Sequence, residues 1–184
     1  MRPYELAVGA IAAFAVLALY AHSTVVQSFD GSVAVHHVDV AALTDDEGRS
    51  VSIGTSTTGS IVFLGFTHCT DACPIALAKL AATLATFPAR QRPKAYFVTV
   101  DPDHDTPATL HRYLRTWKNR IVGVTGERAA LRRLYVALGS GDSDARYGDH
   151  DARMFALNAA GDVAASLSAD SKPAEIRRAI LELR

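Results

Sequence analysis

Phe63-Leu-Gly-Phe-Thr-His-Cys69-Thr-Asp-Ala-Cys73-Pro74 decides how this chain is read. An apolar, β-rich run from Ser60 to Phe66 enters a short polar turn, and Pro74 then opens a pattern of helical period. Both cysteines of the protein therefore fall at one strand-to-helix junction. Three residues separate them, and positions four apart share a helical face, so two sulfurs can converge on one metal ion or close one disulfide. Either chemistry needs a thiolate, which the unpaired N–H groups and macrodipole of a helix start stabilise. The spacing is not the C-x-x-C of the usual redox motif, and no second cysteine pair completes a four-thiolate zinc site. A metal would need a third ligand from elsewhere. The plain alternative, two buried thiols acting as small apolar side chains, fits poorly with a turn made of Thr, His, Asp and Pro.

The length of 184 residues suffices for an N-terminal segment plus one domain with a proper core. Lys+Arg and Asp+Glu balance at 19 each, so no basic field gathers nucleic acid, which is excluded as a partner. Leu6 to Ala21 is an uncharged Ala/Val/Leu-rich run preceded by Arg2, with weaker apolar character through Val26. Cleavage after Ala21 would place Leu19 at −3, so residues 1–26 read as an uncleaved signal anchor, a transmembrane helix, rather than a cleaved signal peptide. Arg2 marks the inside. The domain, residues 27–184, is then expected outside the cytoplasm, on a bacterial inner membrane facing the periplasm, where oxidising conditions reach Cys69 and Cys73.

Outward from the cysteine turn, the chain alternates strands and helices. His22 to Ser32 is a polar tether, Val33–Val40 a candidate edge strand, and Leu43 to Ile53 a hairpin broken at Asp45-Asp-Glu-Gly48. His36 and His37 are adjacent on that strand and point to opposite faces, so they read as surface residues rather than as joint ligands. Leu77, Leu80, Ala81 and Leu84 form the stripe of a helix over Pro74–Phe87. Ala95–Val100 is a buried strand, after which Thr106 as N-cap and Pro107 as first residue start a helix with apolar face Leu110, Tyr113, Leu114 and Trp117. Ile121–Val124 is a strand and Glu127–Leu138 a helix, followed by a polar loop, Gly139 to Asp151. Arg153–Leu157 and Val163–Leu167 make a hairpin turned at Asn158-Ala-Ala-Gly161, and Pro173–Arg184 a last amphipathic helix. This order predicts an α/β sandwich around a mixed sheet, with the cysteine turn and the Asp101–Pro107 loop on the same carboxyl edge.

Gly65-Phe-Thr-His-Cys69-Thr-Asp-Ala-Cys73-Pro74, Val98-Thr-Val-Asp101-Pro-Asp-His-Asp-Thr-Pro107 and Gly148-Asp-His150 resemble, in that order, the three sequence blocks of the SCO/SenC copper-binding proteins. The resemblance runs from about Val33 to the C-terminus. It implies a thioredoxin-like fold, copper held by Cys69, Cys73 and His150, and a part in building the dinuclear copper centre of cytochrome c oxidase. The chain departs from the family at Thr70, where Pro is common, and in the short Asp-rich segment before His150. Two soft thiolates and an imidazole suit Cu(I) and can be re-formed around Cu(II). Asp149 is then a candidate to orient the imidazole. His68 and His104 are weaker candidates, and Asp101 is too hard a donor for Cu(I).

Two functions compete. One is a membrane-tethered copper chaperone that passes its ion to the copper-bearing oxidase subunit or another exported copper protein, the tether raising the effective concentration of both partners. The other is a thiol-disulfide oxidoreductase in which Cys69 and Cys73 act as attacking and resolving thiols, keeping exported copper-site cysteines reduced without need of His150. Peroxide reduction would require a lone activated cysteine with Thr and Arg support, and a zinc enzyme a general base; neither set is present in the motifs.

Overall fold

Seven strands and four α-helices are formed by the residues that the computed structural model describes, 36–117, 121–140 and 152–183. In chain order they are β1 (Val40–Asp45), β2 (Ser50–Ile53), β3 (Ser60–Gly65), α1 (Ala72–Ala85), β4 (Lys94–Thr99), α2 (Pro107–Tyr113), β5 (Val122–Thr125), α3 (Arg128–Ala137), β6 (Arg153–Leu157), β7 (Val163–Ser168) and α4 (Pro173–Leu181). One sheet holds all seven strands in the order β2-β1-β5-β4-β3-β6-β7. β3, β4 and β5 run parallel, and the flanking pairs are antiparallel. The mixed sheet expected from the alternation is therefore present, with β4 at its centre and β3 beside it.

Alternation along the central strands explains the layers. Ile61 and Phe63 of β3, with Ala95 and Phe97 of β4, face a core built with α1, α2 and α4, whereas Val62, Leu64, Tyr96 and Val98 face a second core with α3. A strand buried on both faces reads as a continuous apolar run, which is why Ser60 to Gly65 shows no polar alternation. The α1 stripe is inserted as expected: Leu77, Leu80 and Leu84 are wholly buried, and truncating any one to alanine would cost about 2–5 kcal/mol. Thr106 caps α2, its Oγ1 accepting from the Thr109 N–H at 3.2 Å.

The edge strand expected at 33–40 is displaced. Residues 33–35 lie outside the described residues, His37 makes only an isolated bridge to Asp162, and the ladder with β2 starts at Val40. Val38 N–H bonds the Gly161 carbonyl in the β6–β7 turn, and Ala42, at φ 62°, breaks the register between Val40 and Leu43. The pairing partner, rather than the loose alternation, sets where the strand begins. Among the described residues no helix is long and apolar enough to cross a membrane; the anchor expected at residues 1–26 lies outside them.

Candidate metal centre

Gly65 of β3 stands opposite Thr99 of β4 in parallel register, so the segments that follow both strands leave the sheet at the same carboxyl edge. Gly65 is required there by crowding. A Cβ on it would lie 2.7 Å from the Phe97 ring and 3.0 Å from Cys73 Sγ, so any side chain would push the sulfur out of place.

α1 starts at Ala72, two residues earlier than Pro74 suggested, which puts Cys73 inside its first turn and Cys69 just ahead of it. Asp71, in the N-cap position, makes no side-chain capping bond. The Cys73 N–H instead meets Cys69 Sγ at 3.4 Å, so a sulfur accepts where a serine or aspartate oxygen usually does. Burial alone would raise the Cys69 thiol. Hydrogen bonds from the backbone of Cys73, Asp71 and Ala72 and from the Cys73 thiol outweigh it, and Cys69 lies below the ordinary thiol value. Cys73 goes the other way: burial first, then the neighbouring Cys69 and the charge of Asp105, push it up to about 12 against a backbone bond from Phe66. The two thiols are unbridged, Cys69 partly exposed and Cys73 wholly buried. One sulfur is shifted toward the thiolate and its neighbour holds its proton.

The second segment, between β4 and α2, braces the first. Asp105 is wholly buried and accepts three bonds, from the Thr67 N–H at 3.0 Å, the Thr67 hydroxyl at 2.5 Å and the Thr99 hydroxyl at 2.6 Å. It thereby ties the cysteine turn to the end of β4. Asp101, also buried, accepts from His104 Nδ1 at 2.8 Å and lies 3.7 Å from His68 Nδ1. The hydrogen bond and charge of Asp101 raise the pKa of His104, which is otherwise exposed. His68 packs its ring on Phe66, centroids 4.4 Å apart.

Cys69 and Cys73 are thus brought together as the sequence suggested, and His68, His104 and Asp101 form a neighbouring group. Ligand-type atoms of His68, Asp101 and Asp105 lie within 4.8 Å of one another, an oxygen-rich set in which Asp105 is already committed to Thr67 and Thr99. His150, together with Asp149 and Tyr147, lies outside the described residues. His36 and His37 are both exposed, and His37 Nδ1 pairs with Asp162 at 2.9 Å. Three residues escaped the sequence reading: Thr67, Asp105 and Tyr113. Asp105 looked like one of several loop carboxylates, and only its place directly before the Thr106 cap set it apart. Tyr113 read as part of an apolar stripe, and it packs, as Cys69 also does, against the core that contains Cys73.

A family model described as SCO1/SenC matches residues 41–183. The chain belongs to the SCO1/SenC family. The mitochondrial SCO2 homolog of Bos taurus is 33% identical over 111 residues, a match that takes in 55% of this chain and 42% of the bovine protein. This chain spans less than half the length of the first curated relatives it matches. Among solved structures, copper-bound ScoI of Arabidopsis thaliana superposes with a TM-score of 0.66 at 23% identity, covering 81% of this chain and 98% of that one. BsSco, a member of the Sco family of cytochrome c oxidase assembly proteins with a disulfide switch, gives 0.66 at 14%, covering 81% and 94%. At such identities the likeness is one of fold: this SCO1/SenC domain shares the thioredoxin-like Sco architecture.

Proposed function

We propose that this SCO1/SenC protein is a membrane-anchored, extracytoplasmic copper chaperone. It takes one copper ion on Cys69, Cys73 and His150 and delivers it to the copper-bearing subunit of cytochrome c oxidase or to another exported copper protein. The observation that carries this is the sulfur pair itself, two soft donors held one helical turn apart at an open sheet edge, with Cys73 N–H already donating to Cys69 Sγ at 3.4 Å. The names of relatives agree with it: Arabidopsis ScoI holds copper and BsSco belongs to oxidase assembly proteins.

The donor set fits copper as cargo. Cys69 is shifted toward the thiolate before any metal arrives, while Cys73 must give up its proton on loading, so binding releases protons and strengthens as pH rises. Asp105 holds the turn in place through Thr67, and Gly65 leaves room for the Cys73 sulfur. Few ligands at an open edge favour exchange with an acceptor over permanent retention. The N-terminal anchor would confine the domain to the membrane surface where such acceptors stand.

Copper stoichiometry on the reduced protein tests this first, with about one Cu(I) per chain expected and none overturning it. His150→Ala then separates delivery from redox chemistry. That variant should fold and form its disulfide while losing Cu(II) binding and support of oxidase assembly. Full Cu(II) affinity and full assembly activity in His150→Ala, with assembly lost in Cys69→Ser, would replace the chaperone by a thiol-disulfide oxidoreductase. The unequal thiols favour that alternative specifically: a low Cys69 suits attack and a high, buried Cys73 suits resolution.

A further inference from the structure

Histidines meet carboxylates at several places on this domain, and one of those places differs from the others. Asp162 meets His37 Nδ1 at 2.9 Å and Asp46 meets His111 Nδ1 at 3.1 Å, one imidazole to one carboxylate. At Asp101 two imidazoles converge on the same oxygen: Oδ2 lies 2.8 Å from His104 Nδ1 and 3.7 Å from His68 Nδ1. The two rings come from the two different junctions and stand 6.1 Å apart between centroids, at 74° to one another. The longer approach is beyond hydrogen-bond reach. The two distances fall on either side of the separation of about 3.4 Å between ligands held at about 2.1 Å around a tetrahedral ion. The carboxylate is also built in. Its side chain is 6% exposed, the Asp101 N–H donates to Thr99 Oγ1 at 2.9 Å, and the Thr99 hydroxyl donates in turn to Asp105 at 2.6 Å. Asp105, with an oxygen within 4.8 Å of the ligand atoms of His68 and Asp101, adds a second carboxylate behind them while its own bonds go to Thr67 and Thr99. The imidazoles face outward, 48% exposed at His68 and 71% at His104, so both rings can close on an ion and water can complete its coordination.

We propose that His68, His104 and Asp101 form a second metal site, separate from the cysteine pair, for a divalent ion of borderline character, with Cu(II) the tightest bound. Two imidazoles and one carboxylate offer two nitrogens and one oxygen, a set that suits Cu(II), Ni(II) or Zn(II), whereas Cu(I) prefers the thiolates. Thr99 and Asp105 supply the outer hydrogen bonds that fix such a site, through the Asp101 backbone. No sulfur takes part. The site therefore stays open when Cys69 and Cys73 are joined as a disulfide and, having no thiolate to offer, bind nothing. Because His68 directly precedes Cys69, a divalent ion is held at the same sheet edge as the pair while the sulfurs are oxidised. The inference does not depend on copper being the cargo of the cysteines.

The full chain in its disulfide form, titrated with Cu(II) alone, tests this by equilibrium dialysis and by electron paramagnetic resonance. A tightly held Cu(II) with nitrogen hyperfine structure is expected. His104→Ala and His68→Phe should each weaken it at least about tenfold, while His37→Ala and His150→Ala stay within about twofold of wild type. His68→Phe keeps an aromatic ring on Phe66, and His104 is mostly exposed, so a loss in either variant reads the missing nitrogen rather than a disturbed core. A disulfide form that takes up no Cu(II), or an affinity that survives either substitution, overturns the proposal. So does a loss in His150→Ala as large as that in His104→Ala, since the ion would then share the histidine assigned to the cysteine pair. A reduced protein that binds no Cu(I) would sink the chaperone function and leave this result standing.

Discussion

Two strand-to-helix junctions leave the same edge of the sheet, and they solve the same problem with different atoms. Between β4 and α2 the orphan donors are met by oxygen: Thr106 Oγ1 caps the helix, and Asp105 gathers Thr67 and Thr99. Between β3 and α1 Asp71 leaves the N-cap bond unmade and a sulfur takes the Cys73 N–H. An oxygen cap satisfies a helix start permanently. A sulfur acceptor leaves those N–H groups to stabilise a thiolate that must also react or bind, and the nearby carboxylate brace supplies the rigidity that the sulfur junction lacks. The chemistry thus sits on the weaker junction and the structural bonds on its neighbour.

The contrast can be broken most sharply by alkylation. At neutral pH iodoacetamide should modify Cys69 at least about a hundredfold faster than Cys73, because reaction needs thiolate and Cys73, pushed up to about 12, is buried as well. Peptide mass spectrometry at short times reads the ratio, and equal labelling would mean that the helix start does not select one sulfur. Next in size is the brace: Asp105→Ala leaves the Thr67 N–H and two hydroxyls without their acceptor and should cost about 3 kcal/mol in urea unfolding. A loss under about 1 kcal/mol would show that the two junctions are independent.

Cap substitutions sharpen the comparison further. Thr106→Ala should cost about 1 kcal/mol, as loss of a formed cap does, whereas Asp71→Ala should change unfolding by less than about 0.5 kcal/mol because no capping bond is there to lose. The reverse order would mean that oxygen caps the cysteine junction after all. The smallest effect is the pH dependence of His104. Its pKa is raised by Asp101, so the bond contributes in full below the ordinary histidine value near 6.5 and fades as pH rises through the higher folded value. The stability difference between wild type and His104→Ala, compared by urea unfolding at pH 6 and pH 9, should be present at the first and vanish at the second.

Much of this was legible in the chain because it is local. The leucine stripe of α1, the Thr106 cap and the Asn158-Ala-Ala-Gly161 turn each depend on residues within a few positions of one another, and the structure has them where period and capping place them. Pro74 misled by two residues because proline is tolerated anywhere in a first turn. The Val33–Val40 strand misled because loose alternation does not identify a pairing partner, and the segment around Val38 meets the β6–β7 turn before β1 begins.

The sequence by itself determined the order of strands and helices, the family, and the meeting of two thiols at one helix start, since these follow from spacing along a single chain. Only the tertiary structure decided which thiol is lowered and which is raised, that Asp105 rather than any other loop carboxylate braces the turn, and that the Tyr113 hydroxyl is buried with no partner among the described residues. Those facts depend on burial and on groups 38 or more residues apart brought together by the parallel register of β3 and β4. Burial dominates at Cys73 and the hydrogen bonds of the helix start outweigh it at Cys69, which is what sets two identical side chains four positions apart on opposite sides of the ordinary thiol value.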